Sequence, residues 1–97
     1  MNIKQTISND ELRIKIFKAL ADQTRLNTIR TLKASWQPIP YSELATTMKC
    51  GKSTASYHLK LLSEAGLITL KKVGQAKFVS LNREVFDGVL PGFLKTL

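Results

Sequence analysis

Cysteine and histidine are nearly absent from this chain, which holds one of each, Cys50 and His58, in 97 residues. A lone thiol cannot close an internal disulfide, so a reducing cytoplasm is the expected setting. Zinc and thiophilic metals need several Cys, His or carboxylate ligands together. Nucleophilic catalysis needs a base beside both a nucleophile and an orienting acid. One imidazole and one thiol supply neither, so no enzyme, no metal and no cofactor are expected. Acidic residues are also few, seven against fifteen Lys and Arg, which leaves a formal charge of +8 and a pI near 9.9. So basic a short chain implies a polyanionic partner, nucleic acid above all; the plain alternative is a merely basic soluble protein. Long apolar runs are missing too. Nothing approaches the ~20 residues of a membrane span, and the opening MNIKQTISNDEL lacks the apolar centre of a signal peptide. With no repeats and no low-complexity tract, residues 1–97 read as one domain.

What is present is a 43% hydrophobic content arranged with clear periodicity, enough for a folded core, though a modest one that a partner subunit would help. Ser8-Asn9-Asp10-Glu11 has capping-box spacing, and Leu12, Ile16 and Leu20 follow at helical intervals with Phe17 beside them. Asp22 caps a second helix whose buried row is Leu26, Ile29 and Leu32. SWQPIP (35–40) is a loop, because two prolines within three residues forbid a continuous helix, and Pro40 opens a short third helix with Leu44, Ala45 and Met48 inward. Lys49 to Gly51 forms a tight turn.

The stretch from Met48 to Leu67, MKCGKSTASYHLKLLSEAGL, is the most informative. Stepping 100° per residue from Gly51 gathers Ala55, Leu59 and Leu62 on one side, with His58, Leu61 and Ala65 along its edge. Ser53, Ser56, Tyr57, Lys60 and Glu64 fall opposite. Docking a helix on a core needs the first row but not the second, and hydroxyls and cations suit the acceptor-rich major groove of DNA. An ordinary solvated face is the alternative. Lys52 and Thr54 lie in the first turn, where free backbone N–H groups and the positive helix end attract phosphate. Gly66 closes the helix. Thereafter the period drops to two: Ile68 and Leu70 face one way, as do Val79 and Leu81 on the return, around a tip at Gly74. Lys71, Lys72, Gln75 and Lys77 crowd that tip, where no core can use them, and are expected on the phosphate backbone or minor groove. The tail has helical apolar spacing at Val85, Val89 and Phe93, interrupted near Leu90 by Pro91. The expected fold is mainly α with a small β-hairpin: a winged helix-turn-helix with helices, a two-stranded wing and a C-terminal helix.

The chain resembles the ArsR/SmtB family of prokaryotic transcriptional repressors through KALADQTRLNTIRTL (Lys18–Leu32), ELA (Glu43–Ala45), STASYHLKLLSEAGLI (Ser53–Ile68) and the wing to Leu81. That resemblance implies a symmetric homodimer, joined by the first and last helices, that sits on an inverted-repeat operator in double-stranded DNA and blocks transcription. It does not bring the family's metal sites. Members that sense through the third helix carry cysteine where this chain has Pro40 and Ser42. Those that sense through the last helix carry an acidic residue and histidines where this chain has Arg83 and Val85. The expected inducing signal is therefore not a metal, and the sequence names no effector. Two alternatives stand beside this reading. Cys50, flanked by Lys49 and Lys52 before a helix N-terminus, is placed for a redox switch, although the position usually holds a small apolar residue in the family. The other alternative is a winged-helix module for protein or RNA, without an operator. Trp36 beside Pro38 either lines a ligand pocket or packs over its loop.

Overall fold

The structure, a computed structural model, describes residues 9–97; Ser8, the expected capping hydroxyl, lies outside them. Five α-helices and three strands follow in the order α1 (Asn9–Leu20), α2 (Gln23–Ala34), β1 (Ile39–Pro40), α3 (Tyr41–Thr47), α4 (Lys52–Glu64), β2 (Ile68–Val73), β3 (Ala76–Leu81) and α5 (Arg83–Val89), with a last 3-10 turn at Leu94–Thr96. The expected helices and wing are all present, and the architecture is a winged helix-turn-helix.

The core forms where the helical rows converge. Ile16 from α1, Ile29 and Leu32 from α2, Leu44 from α3, and Leu59 and Leu62 from α4 are fully buried together with Leu67, Val79 and Phe86. Each such side chain removed from water stabilises the fold by roughly 1.5–3 kcal/mol before the entropy of ordering it is set against that gain. The helix ends follow local chemistry. Asp22 accepts from the Arg25 backbone N–H at 3.1 Å and starts α2. Gly66, at φ +76, ends α4. Its N–H donates to Ser63 at 2.9 Å, and Leu67 donates to Leu62 at 3.0 Å, which satisfies carbonyls that a helix end leaves orphaned. α5 stops at Val89, ahead of Pro91, as expected.

Several positions differ from the sequence pattern. Leu26 is only half-buried, and Arg25 and Thr28 take buried positions on α2 in its place. Phe17 does not join the core: it is 55% exposed and shares an outward stripe with Ile14, 52% exposed. α1 is thus apolar on two faces. Ala65, expected at an edge, is buried. At the C-terminal end the buried ring is Phe86, between the expected Val85 and Val89, and Phe93 stacks on it with centroids 6.1 Å apart.

The hairpin pairs Ile68 with Leu81, Leu70 with Val79, Lys72 with Lys77 and Val73 with Ala76, leaving a two-residue turn at Gly74-Gln75. Gly74, at φ +63, takes the positive-φ corner that this turn requires. Leu70 is 41% exposed although its direct partner Val79 on the same face is buried, because Val79 is on the central strand, flanked by β1 and β2, whereas Leu70 is on the edge strand β2. A third short strand joins the wing: Ile39 and Pro40 pair with Val79 and Phe78, so the sheet order is β1-β3-β2. A strand of two residues has no period to read, and Pro40 is tolerated because β1 is an edge.

Candidate nucleic-acid interface

The helix-turn-helix is α3, a turn and α4. The turn's left-handed residue is Lys49, at φ +54, while Gly51 sits in extended backbone at φ −61 as the cap of α4. No side chain caps that end and no acid occupies the first turn, so its N–H groups and the positive end of the helix face outward. The expected division of α4 is realised. Ala55, Leu59 and Leu62 are buried, whereas Lys52, Ser53, Thr54, Ser56, Tyr57 and Lys60 are all exposed. Tyr57 keeps 57% of its surface in solvent, unusual for a large aromatic side chain in a folded protein.

Lys71, Lys72, Gln75 and Lys77 are likewise exposed, but the structure separates them. Alternation along paired strands puts Lys72 and its partner Lys77 on the same face as Ile68, Leu70 and Val79, which is the face turned to the helices. Lys71, opposite Phe78, is on the other face, and Gln75 is in the turn. The Lys77 ammonium lies 5.1 Å from the centre of the Tyr41 ring, and the Tyr41 hydroxyl donates to Ser56 Oγ at 3.1 Å. A shallow groove between α4 and the wing is lined by Tyr41, Ser56, Lys60, Leu70 and Lys77, with one acid, Glu64, towards the end of α4. Beyond the Tyr41–Ser56 contact, which borders both, Cys50 is exposed at the rim of a second groove between α3 and the start of α4, shared with Ser42, Ala45 and Thr46 of α3. Trp36 does not pack down over its loop but stands at the wall of a small open cleft with Gln37, Pro38 and Arg83. It is 88% exposed, with the Arg83 guanidinium 4.8 Å from its ring centre.

Beneath this surface is a polar cluster that sequence reasoning missed. Arg25 is buried, and its Nε donates to the Ala19 carbonyl at 2.7 Å and its Nη2 to the Lys18 carbonyl at 3.3 Å, the last carbonyls of α1. Its Nη1 is 2.9 Å from His58 Nδ1. A guanidinium has only donors, so the imidazole accepts there and carries its proton on Nε2. His58, half-buried as its edge position implied, thus joins α4 to the C-terminus of α1 through α2. The only hint in the sequence was an arginine three residues after a helix cap, a spacing that also suits a solvated side chain.

The Asp22 carboxyl beside this cluster is held below the usual carboxylate range. The largest cause is the Arg25 backbone N–H, opposed by partial burial and reinforced by the nearby Arg25 side chain. A lowered pKa in the folded state means stability that is present above about pH 4 and lost as the pH falls below it. Asp22→Ala is expected to cost about 1 kcal/mol at neutral pH. That deficit should shrink in urea titrations repeated near pH 2.5; a deficit equal at both pH values would refute the ionic contribution.

A helix-turn-helix domain family model matches residues 7–71 of the chain. The uncharacterized HTH-type transcriptional regulator YceK of Bacillus subtilis (strain 168) is 46% identical over 97 residues, covering 100% of this chain and 95% of the relative. The arsenical resistance operon repressor of the same organism is 38% identical over 74 residues, covering 76% and 70%. Among solved structures, the crystal structure of the ArsR family transcriptional regulator RHA00566 superposes with a TM-score of 0.75 at 27% identity, covering 93% of this chain and 91% of that one. The chain belongs to the ArsR family of helix-turn-helix transcriptional regulators. Proteins of this kind bind DNA, and α3 and α4 are the helix-turn-helix of this regulator. Among its described residues, no group of three or more His, Cys, Asp or Glu could hold a metal ion, and no helix is long and apolar enough to cross a membrane.

Proposed function

We propose that this regulator is a homodimeric repressor, one winged domain per subunit, that inserts α4 into the major groove of an inverted-repeat operator and rests its wing on the adjacent backbone. One observation carries the reading: the exposed row Ser53, Ser56, Tyr57 and Lys60 adjoins Lys77 of the wing, a surface of hydroxyls and cations turned to solvent, in which Ser56 and Lys77 also meet Tyr41. Within it, Ser53, Ser56 and Tyr57 meet base edges, and Lys60 grips phosphate or guanine. Lys52 and Thr54 set phosphate against the uncapped helix end. Lys71, Lys72, Gln75 and Lys77 hold the flanking backbone. The inducing signal is not a metal at the family's usual positions. Pro40 and Val85 offer no donor atom, Arg83 is a cation, and Ser42 has only a neutral hydroxyl.

Selection of bound duplexes from a random library, followed by salt titration on the enriched sequence, tests the proposal. An inverted repeat with half-sites about 34 Å apart and steep loss of affinity with salt are the expected results. No enriched sequence, or salt-insensitive binding to protein or RNA, would overturn it. The dimer has its own test. Ile14 and Phe17 form an apolar stripe in solvent on α1, and such a stripe on a basic protein of this size is explained by burial against a second copy. The double variant Ile14→Glu, Phe17→Glu should sediment as a folded monomer and lose operator affinity at least tenfold; a dimer that survives it does not use α1. The redox alternative rests on the exposed Cys50 thiol between α3 and α4. Loss of binding under oxidant that Cys50→Ser abolishes would establish it.

A further inference from the structure

Tyr41 stands where three elements meet. It is the first residue of α3, and Pro40 before it is paired with Phe78 of β3, so its backbone is held against the wing. Its ring lies under the Lys77 ammonium at 5.1 Å. Its hydroxyl reaches across to α4 and donates to Ser56 Oγ at 3.1 Å.

A serine hydroxyl carries one proton and two lone pairs and rotates freely, so an isolated serine on a recognition helix reads either a donor or an acceptor on a base. Ser56 is not isolated. A phenol is a more acidic donor and a poorer acceptor than an alkyl alcohol. The cation over the ring draws electron density from it and strengthens that bias. Tyr41 therefore gives its proton to Ser56, not the reverse. One of the two lone pairs of Ser56 is then filled from the α3 side, so Ser56 keeps its own proton and a single lone pair for the open groove, and donation becomes the favoured role. We propose that Tyr41 is a positioning residue that biases Ser56 toward hydrogen-bond donation to the duplex. The base edge facing Ser56 then preferably carries an acceptor, the N7 or O6 of a purine or the O4 of thymine, over the amino group of cytosine.

The inference rests on the reading of α4 as the helix that enters the groove. Its test uses the full chain, with Tyr41→Phe, Ser56→Ala and the double variant, in competition binding against operators carrying each of the four base pairs at every half-site position. Tyr41→Phe keeps the ring, its packing and the lysine above it, and removes only the hydroxyl. The wild type is expected to disfavour cytosine about tenfold at one position, the effect of a single hydrogen bond in register. Tyr41→Phe should reduce that discrimination to about threefold or less at this position alone, with the thermal midpoint and salt slope unchanged. In the Ser56→Ala background, Tyr41→Phe should alter nothing further. Unchanged discrimination in Tyr41→Phe, an equal affinity loss on all sequences, or the same effect without Ser56 would overturn the inference while leaving the DNA-binding reading intact. A wild type that prefers no sequence removes both.

Discussion

Arg25→Met is expected to lower the thermal midpoint by more than 10 °C and to weaken operator binding, although Arg25 is buried and faces no duplex. The guanidinium satisfies two carbonyls at the end of α1 and the Nδ1 of His58, and Asp22 helps to balance its charge. Methionine fills the space but takes a donor from three acceptors, of which the Lys18 carbonyl keeps the Ala21 N–H while the Ala19 carbonyl and His58 Nδ1 lose the Arg25 bond they make. Breaking such a cluster costs about 2–4 kcal/mol, and a domain of this length shifts by about 4–8 °C per kcal/mol. Total stability for this length is on the order of 5–15 kcal/mol, so the variant should still fold at room temperature. Binding suffers because the same side chain locates α4 against α1: without it, the exposed face of α4 loses its set angle to the rest of the subunit. Lysine is not an adequate replacement, since a single ammonium cannot span all three acceptors in the plane of a guanidinium. Calorimetry and a coupling cycle with His58→Leu check this. A midpoint change of under 3 °C, or additive effects of the two substitutions, would show that the cluster does not join the helices.

Removing Lys72 and Lys77 together should weaken operator binding on the order of 10²-fold at low salt and reduce the salt slope by about two. Lys71→Ala should do less, because it lies on the face of the hairpin turned away from α4. The stability change has the opposite sign. Lys72 and Lys77 are direct cross-strand partners, and like charges so placed destabilise a ladder by about 0.2–1 kcal/mol. Lys72→Ala alone should therefore raise the thermal midpoint slightly while lowering affinity. A repulsive pair kept at the tip of a hairpin makes physical sense when a polyanion neutralises it. Affinity titrations across a salt series, with calorimetry on the same variants, check both signs. Equal affinity losses for Lys71 and Lys72, or a lower midpoint for Lys72→Ala, would count against this picture of the wing.

Much of the site was legible in the residues. The two-sided character of α4 follows from its spacing, since buried and exposed rows on one helix are fixed by 3.6 residues per turn. Asp22, Gly66, Gly74 and Pro91 each act through their own backbone or side-chain chemistry within a few residues, and they end or start elements where expected. Phe17, Leu26 and Leu70 were misplaced for one shared reason. Hydrophobicity shows that a side chain gains by leaving water but not which neighbour will cover it. Leu70 falls on the edge strand of the sheet, and Phe17 on a face of α1 that no other described element covers.

The sequence alone determined the order of helices and wing, the basic balance of the chain and the face of α4 left to solvent, because each depends on local periodicity or simple composition. Only the tertiary structure decided that Arg25 would bind the end of α1 and His58, that β1 would pair with β3, and that Tyr41 would bridge Lys77 and Ser56. Those contacts join residues from 6 to 40 positions apart, up to Ile39 with Val79. No local pattern encodes them, because they exist only after the hydrophobic rows have packed and brought the polar groups within hydrogen-bonding reach.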